Sequence, residues 1–202
     1  MARTDARDRS TPDPSTDGRR ARGERKRGEI IDACLRVVQR DGASGVTHRT
    51  VAREAGVPTS LTTYYFATLD ELLVAALSAV AEAYAVTLRD IVDRAGDELG
   101  ELAGLIAAAG TDAGRGRALA ERELSTLASR RPALRPIAQH WRDEVARIGR
   151  LRTTDPVAVD ALVAAADGLC AAILVSGQAP EVSHIRAVLA RALGLDPDAT
   201  PT

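Results

Sequence analysis

The side chains able to do chemistry concentrate in one short stretch, from Val46 to Phe66, which reads VTHRTVAREAGVPTSLTTYYF. Thr47 stands where a hydroxyl can cap the first exposed N–H groups of a helix running through Val51, Ala52 and Ala55. Ala52 is small enough for a second helix to approach closely, and Gly56, four residues on, tolerates the positive φ of a sharp turn. Val51, Ala55, Val57 and either Leu61 or Thr62 supply the packing between the two helices. The second helix starts at Pro58 or Thr59 and runs to Tyr65, leaving a small polar outer face. Thr59, Ser60 and Thr63 on that face can reach base edges in a major groove. The hydroxyls of Tyr64 and Tyr65 can donate to phosphates, which orients a helix without reading sequence. This chemistry is recognition of a polyanionic duplex. Ala-x-x-x-Gly also occurs in arbitrary helical hairpins, so the spacing alone does not decide the matter.

No enzyme chemistry competes with this reading. The sequence shows no nucleophile–histidine–acid set, no Gly-rich phosphate loop and no metal-ligand spacing among its three histidines and two cysteines. We therefore expect no catalytic residue, no metal and no cofactor. Cys34 and Cys170 lie in apolar periodic stretches and read as small hydrophobes in a reducing cytoplasm.

The elements that must position the motif are helical. Hydrophobic residues make up 45% of the 202 residues but aromatics only 2%, so the core is built from Ala, Leu, Val and Ile. That composition favours an all-α fold. Ile30, Ile31, Cys34, Leu35 and Val38 recur at helical spacing and predict a helix over 24–41, closed by Asp41-Gly42. Thr68 caps a long helix whose first turn carries Asp70 and Glu71, and whose inner side is Leu72, Leu73, Ala76, Leu77, Val80 and Tyr84. Gly and Pro punctuation then predicts helices at about 98–109, 115–129, 132–150, 156–177 and 181–194. The most apolar stretches, near Leu72–Ala81 and Leu169–Val175, read as too short to span a bilayer, so no membrane is expected.

Charge divides the chain the same way. Residues 1–66 carry thirteen Lys/Arg against nine Asp/Glu, a net +4, and residues 67–202 carry fourteen against nineteen, a net −5. A basic head on an acidic body suits a protein that meets a polyanion at one end. Residues 1–22 offer almost nothing to bury and read as a disordered basic arm. The run Arg19, Arg20, Arg22, Arg25, Lys26, Arg27 is either a solvated tail or an arm that contacts phosphates or the minor groove.

From about Arg25 to Leu77 the chain resembles the N-terminal domain of the TetR family of bacterial regulators. The resemblance rests on the apolar first helix, Gly42, Val46-Thr47, Val51-Ala52 with Ala55-Gly56-Val57, Tyr64-Tyr65-Phe66, and Asp70-Glu71-Leu72-Leu73. It implies an N-terminal three-helix helix-turn-helix domain over 23–68 and a helical ligand-binding and dimerisation domain over 69–202. It also implies an Ω-shaped homodimer in the cytoplasm on a double-stranded DNA operator. Carried over by position, Thr47, His48 and Arg49 open the helix that contacts phosphates. Thr59, Ser60 and Thr63 fall at base-reading positions, and Leu61, Tyr64 and Tyr65 at thymine-methyl or phosphate positions. Three residues depart from the common pattern. Thr63 stands where many members have Tyr, Leu69 where many have Lys, and Pro58 where a Ser cap is common, so Thr59 could be drawn into capping.

The resemblance further implies a small lipophilic effector held among the middle helices. Candidate lining residues are Tyr84, Leu105, Leu124, Leu127, Ile137, His140, Trp141 and Val145, each of which also suits ordinary core packing. Residues 161–177 are apolar nearly all round, with Ala161, Ala165, Gly168 and Ala172 as a stripe of small residues at helical spacing. The stripe is either internal core or half of a symmetric dimer interface completed by Ile185, Val188 and Leu189. The functional expectation is a repressor released from its operator by an effector. The alternative is a regulator that is effector-independent or controlled by a protein partner.

Overall fold

The structure, a computed structural model, describes residues 14–94 and 96–196. Within them nine α-helices follow one another, with short 3-10 turns at 43–45, 108–110 and 132–134 and no strand among the described residues. They are α1 (Pro14–Asp41), α2 (His48–Ala55), α3 (Thr59–Tyr65), α4 (Leu69–Asp93), α5 (Glu98–Ala107), α6 (Asp112–Leu127), α7 (Arg135–Arg150), α8 (Pro156–Ser176) and α9 (Val182–Ala192).

The first helix is longer than expected. Residues 14–22 continue α1, so this part of the arm predicted as disordered is helical; residues 1–13 lie outside the described residues. The local reason is legible afterwards. Pro14 sits in the first turn, where its missing N–H costs nothing, and no β-branched run follows until the helix is well established. Oppositely charged neighbours then line the exposed face, with Arg20–Glu24 at 3.2 Å and Lys26–Glu29 at 2.6 Å.

Two hydrophobic clusters hold the chain together. The head cluster gathers Ile30, Cys34 and Val37 of α1, Val51 of α2 and Phe66, and is closed by Leu72, Leu73 and Leu77 of α4 with Ala120 and Leu124 of α6. The body cluster joins Leu88 and Ile91 of α4 to Leu102 and Ile106 of α5, Val145 and Ile148 of α7, Leu162 and Ile173 of α8, and Ile185 and Leu189 of α9. The boundary expected at residue 68 is therefore not a packing boundary. The helix-turn-helix segment cannot bury its own apolar face, so α4 and α6 serve both clusters.

This arrangement corrects several sequence assignments. Leu124 is fully buried in the head cluster, and Leu127 and Ile137 pack against that cluster rather than a body cavity. Val145 is fully buried in the body core. Ile185 and Leu189, expected at a dimer face, are fully buried within the subunit's own core, because α9 turns them toward α5 and α8. The stretches judged too short for a bilayer belong to longer elements. At 25 and 21 residues, α4 and α8 are long and apolar enough to cross a membrane by length and composition alone. The apolar residues of α4 are instead distributed between the two cores.

An ionic strap ties α1 to α2. Arg36 Nε donates to Glu54 Oε1 at 2.8 Å and Arg40 Nη1 donates to Glu54 Oε2 at 2.7 Å. These hydrogen bonds, Arg40's first, hold the Glu54 carboxyl below the usual carboxylate range. The strap is solvent-exposed and contributes little stability by itself.

Two glycines of opposite character give a paired test. Gly56 has φ 64°, and no atom lies within 4 Å of an added Cβ, so Gly56→Ala carries only the backbone cost, about 1 kcal/mol. Gly28 lies inside α1 with the same open space, so Gly28→Ala should stabilise by about 1 kcal/mol. Urea unfolding of the two variants should show midpoint shifts of opposite sign.

Candidate nucleic-acid interface and body cavity

The helix-turn-helix is assembled by caps and one turn. Thr47 accepts the Thr50 N–H at 3.0 Å while Thr50 Oγ1 accepts the Thr47 N–H at 2.8 Å, a reciprocal cap that starts α2. Gly56 takes the left-handed conformation with its N–H on Ala52 and Arg53 carbonyls, and Val57 donates back to Ala52 O at 3.0 Å. The chain then reverses into α3. Thr62, one of two candidates for packing here, is completely buried, and its Oγ1 donates to Thr59 O at 2.8 Å and His48 O at 3.4 Å. The hydroxyl is thus satisfied in the head interior, and the bond to His48 fixes α3 against α2.

The outer surface of this unit brings together most of the residues singled out in sequence. Thr47, Arg49, Thr59, Ser60, Thr63 and Tyr64 are exposed, Tyr64 to 78%. His48, Leu61 and Tyr65 are half-buried, and His48 Nδ1 is turned inward without a hydrogen-bond partner. Pro58 begins α3 with no side-chain cap, so Thr59 is not drawn into capping and stays on the outer face. The rings of Tyr64 and Tyr65 meet edge to face at 5.1 Å. A Cβ at Gly23 would stand 3.8 Å from the Tyr65 hydroxyl, so α1 passes the end of α3 at a residue with no side chain. Arg27 lies over the Phe66 ring at 4.9 Å. Around Gly23 and Arg27, α1 therefore passes beside the C-terminal end of α3.

The body holds a narrow cavity enclosed by α4, α5, α6, α7 and α8. Of the eight candidates, Tyr84, Leu105 and Trp141 line it, and His140 does not. Leu102, Ile106, Ala109, Glu121, Arg122, Asp167 and Cys170 complete the lining. Sequence reasoning missed the charged members. A usable signal existed: Asp167 is the one charged residue between 161 and 177 in an otherwise apolar helix. Glu121 and Arg122 gave none, since a charged pair on a polar helix reads as solvated surface.

Electrostatics single out Glu121. Burial pushes its carboxyl up from the usual range, against the hydrogen bond from Ser125 Oγ at 2.7 Å and the nearby Arg122. Burial also pushes the Tyr84 phenol up to about 12 and the Cys170 thiol upward, so both are neutral at physiological pH. Arg122 reaches Asp167 with Nη2 at 3.0 Å from Oδ1 and 2.9 Å from the backbone carbonyl.

On α8, Ala161, Gly168 and Ala172 are exposed, as are Val157 (73%) and Val175 (89%), while Ala165 is half-buried. Val188 of α9 is half-buried and Val182 exposed. The small-residue stripe is thus an outward surface of the subunit rather than internal core.

A helix-turn-helix head joined to a helical body is the architecture of a class of DNA-binding transcriptional regulators. Residues 97–195 match the model of the tetracyclin repressor-like C-terminal domain. The chain is 41% identical to the multidrug binding protein EbrR, solved with imidazole, over 88% of this chain and 97% of that one, with a TM-score of 0.70. EbrR is also known in complex with ethidium, malachite green and proflavin. A TetR-family protein of Streptomyces coelicolor A3, SCO1917, is 43% identical over 83% of this chain and 97% of that one, with a TM-score of 0.73. The HTH-type transcriptional regulator PksA of Bacillus subtilis (strain 168) is 37% identical over 71 residues, which is 35% of each protein. The chain belongs to the TetR family of DNA-binding transcriptional regulators.

The raised Glu121 carboxyl has a pH consequence. Its folded value lies above its unfolded one, so the folded chain holds this proton more tightly than the unfolded chain does. Stability is then fullest below the unfolded value and falls as pH rises through the folded one. Glu121→Gln should flatten that decline in thermal melts taken across the acid-to-neutral range. An unchanged pH profile would remove the burial argument.

Proposed function

We propose that the protein is a homodimeric repressor that leaves its operator when a flat, lipophilic cation enters the body cavity. The observation that carries the effector half is the cavity lining: an aromatic ring, Trp141, and a half-buried carboxyl, Glu121, which a bound cation would draw into its charged form, stand in one largely apolar space. An aromatic cation finds a stacking surface and a counter-charge there. The dyes bound by EbrR, a relative at 41% identity over nearly all of its length, support the same ligand class.

The DNA half rests on the exposed face of α2 and α3. Arg49, Tyr64 and Tyr65 grip phosphates, while Thr59, Ser60 and Thr63 face base edges, with Leu61 beside a thymine methyl. Thr47 and His48 bring the start of α2 to the backbone. Dimerisation uses the outward stripe of α8, Ala161, Gly168, Ala172 and half-buried Ala165, together with Val188 of α9. The two heads then meet half-sites roughly one helical turn apart, about 34–36 Å. An effector that tilts α4 changes that spacing and breaks the fit. An operator on the chromosome implies a cytoplasmic protein.

One observation favours the alternative, a regulator without a small effector. The inner cavity is contracted to about 20 Å³, room for roughly one water, so a dye requires it to open. A dye titration separates the two readings: saturable binding at micromolar concentration supports the effector, and its absence supports effector-independent or partner control.

Arg49→Ala should weaken operator binding and reduce the salt slope by roughly one counterion, read by fluorescence anisotropy at several salt concentrations. Tyr64→Phe should weaken binding by severalfold. Wild-type binding by both variants would mean that DNA lies elsewhere. Gly168→Leu should convert a dimer to a monomer in light scattering, and a wild-type monomer at micromolar concentration would overturn the assembly.

A further inference from the structure

The inner cavity has a neighbour. An open cleft of about 400 Å³ lies between α6 and α7, with Ser125, Ser129, Arg135, Gln139 and Arg142 on its sides. Four residues border both spaces: Glu121, Arg122, Trp141 and Asp167. They are the partition between solvent and the cavity interior. Its polar part is the Arg122–Asp167 pair, half-buried on both sides, with side-chain exposures of 30% and 39%. Arg122 Nε is buried and has no hydrogen-bond partner. The guanidinium is thus held at the partition with one donor unsatisfied, an arrangement that costs free energy.

We propose that Arg122 is a built-in stand-in for the cationic effector, neutralising Asp167 at the partition until the ligand's own cation takes its place and Arg122 swings into the outer cleft. The inference rests on the effector reading above and adds the route and the exchange. With Arg122 in place, the partition carries two carboxyl groups and one guanidinium. With Arg122 displaced, an arriving cation meets both Glu121 and Asp167, and the freed guanidinium recovers its hydration. Trp141 offers the cation's ring a face at the same position. The volumes require such a rearrangement. About 20 Å³ cannot hold a three-ring dye, whereas the cleft of about 400 Å³ joined to the cavity falls within the range of ligand sites, roughly 300–1,000 Å³. Arg135 and Arg142 on the cleft sides oppose an approaching cation, so the partition, not the rim, must supply the attraction. The raised Glu121 carboxyl is consistent with a site awaiting positive charge.

The experiment is stopped-flow binding of proflavin to the full chain, followed through Trp141, the only tryptophan. Arg122→Gln removes the stand-in and should speed association roughly tenfold and tighten the equilibrium, because the closed state no longer taxes binding. Arg122→Gln/Asp167→Asn removes the pair without leaving an unpaired charge. It should keep the fast association but lose the tightening, and it serves as the test if the single variant does not fold. Glu121→Gln should weaken binding without speeding it. Slower or unchanged association in both Arg122 variants overturns the proposal. If neither wild type nor the variants bind proflavin, the effector reading falls and this inference with it. If only the Arg122 variants bind, the effector site exists and the partition closes it.

Discussion

The constraint on which this structure depends is that the helix-turn-helix cannot close its own core. The helix α3 has seven residues, far too few to be stable alone. It is held by Thr62, by Val57 and by the cluster around Phe66, and that cluster is complete only when Leu72, Leu73 and Leu77 of α4 and Ala120 and Leu124 of α6 enter it. Apolar burial outweighs every other interaction at this junction. The ionic contacts across it, such as Arg131 to Asp70, are partly exposed and add registration more than stability.

The same constraint links the two ends of the molecule. On α6, Ala120 and Leu124 face the head core while Glu121 and Arg122 border the cavity. Between them Glu123 Oε2 accepts the Ala43 N–H at 3.1 Å, at the turn before α2. A rotation of α6 that makes room beside Glu121 therefore moves side chains packed under the reading head. Close-packed interiors transmit such shifts because they have no slack to absorb them. The cavity and the helix-turn-helix thus share one helix, through packing that the head needs in any case.

The residues of the candidate sites were legible to different depths. The turn at Gly56, the cap at Thr47 and the polar outer face of α3 are local features, set by residues within a few positions of one another. They were read correctly because local backbone chemistry fixes them. The cavity was read less well, since Leu124, Leu127, Ile137 and Val145 are apolar residues that satisfy either a core or a pocket, and only their neighbours decide which. Glu121 and Asp167 come from helices 46 residues apart in sequence and meet only in the fold. Ile185 and Leu189 show the same limit. Their periodicity marks an apolar face of α9, but whether that face meets its own subunit or a second one is a question of tertiary geometry.

By itself, the sequence determined an all-helical chain, the order and approximate limits of its helices, and the helix-turn-helix at Val46–Phe66. Periodicity, caps and glycine turns are short-range, and a chain of Ala and Leu with few aromatics has no other regular structure to adopt. Tertiary structure decided the rest. It merged the head with α4 and α6, and set Arg122, Asp167, Glu121 and Trp141 at one partition. It also turned the small-residue stripe of α8 outward. These outcomes depend on which apolar faces find each other, and that competition is settled by total buried area over the whole chain.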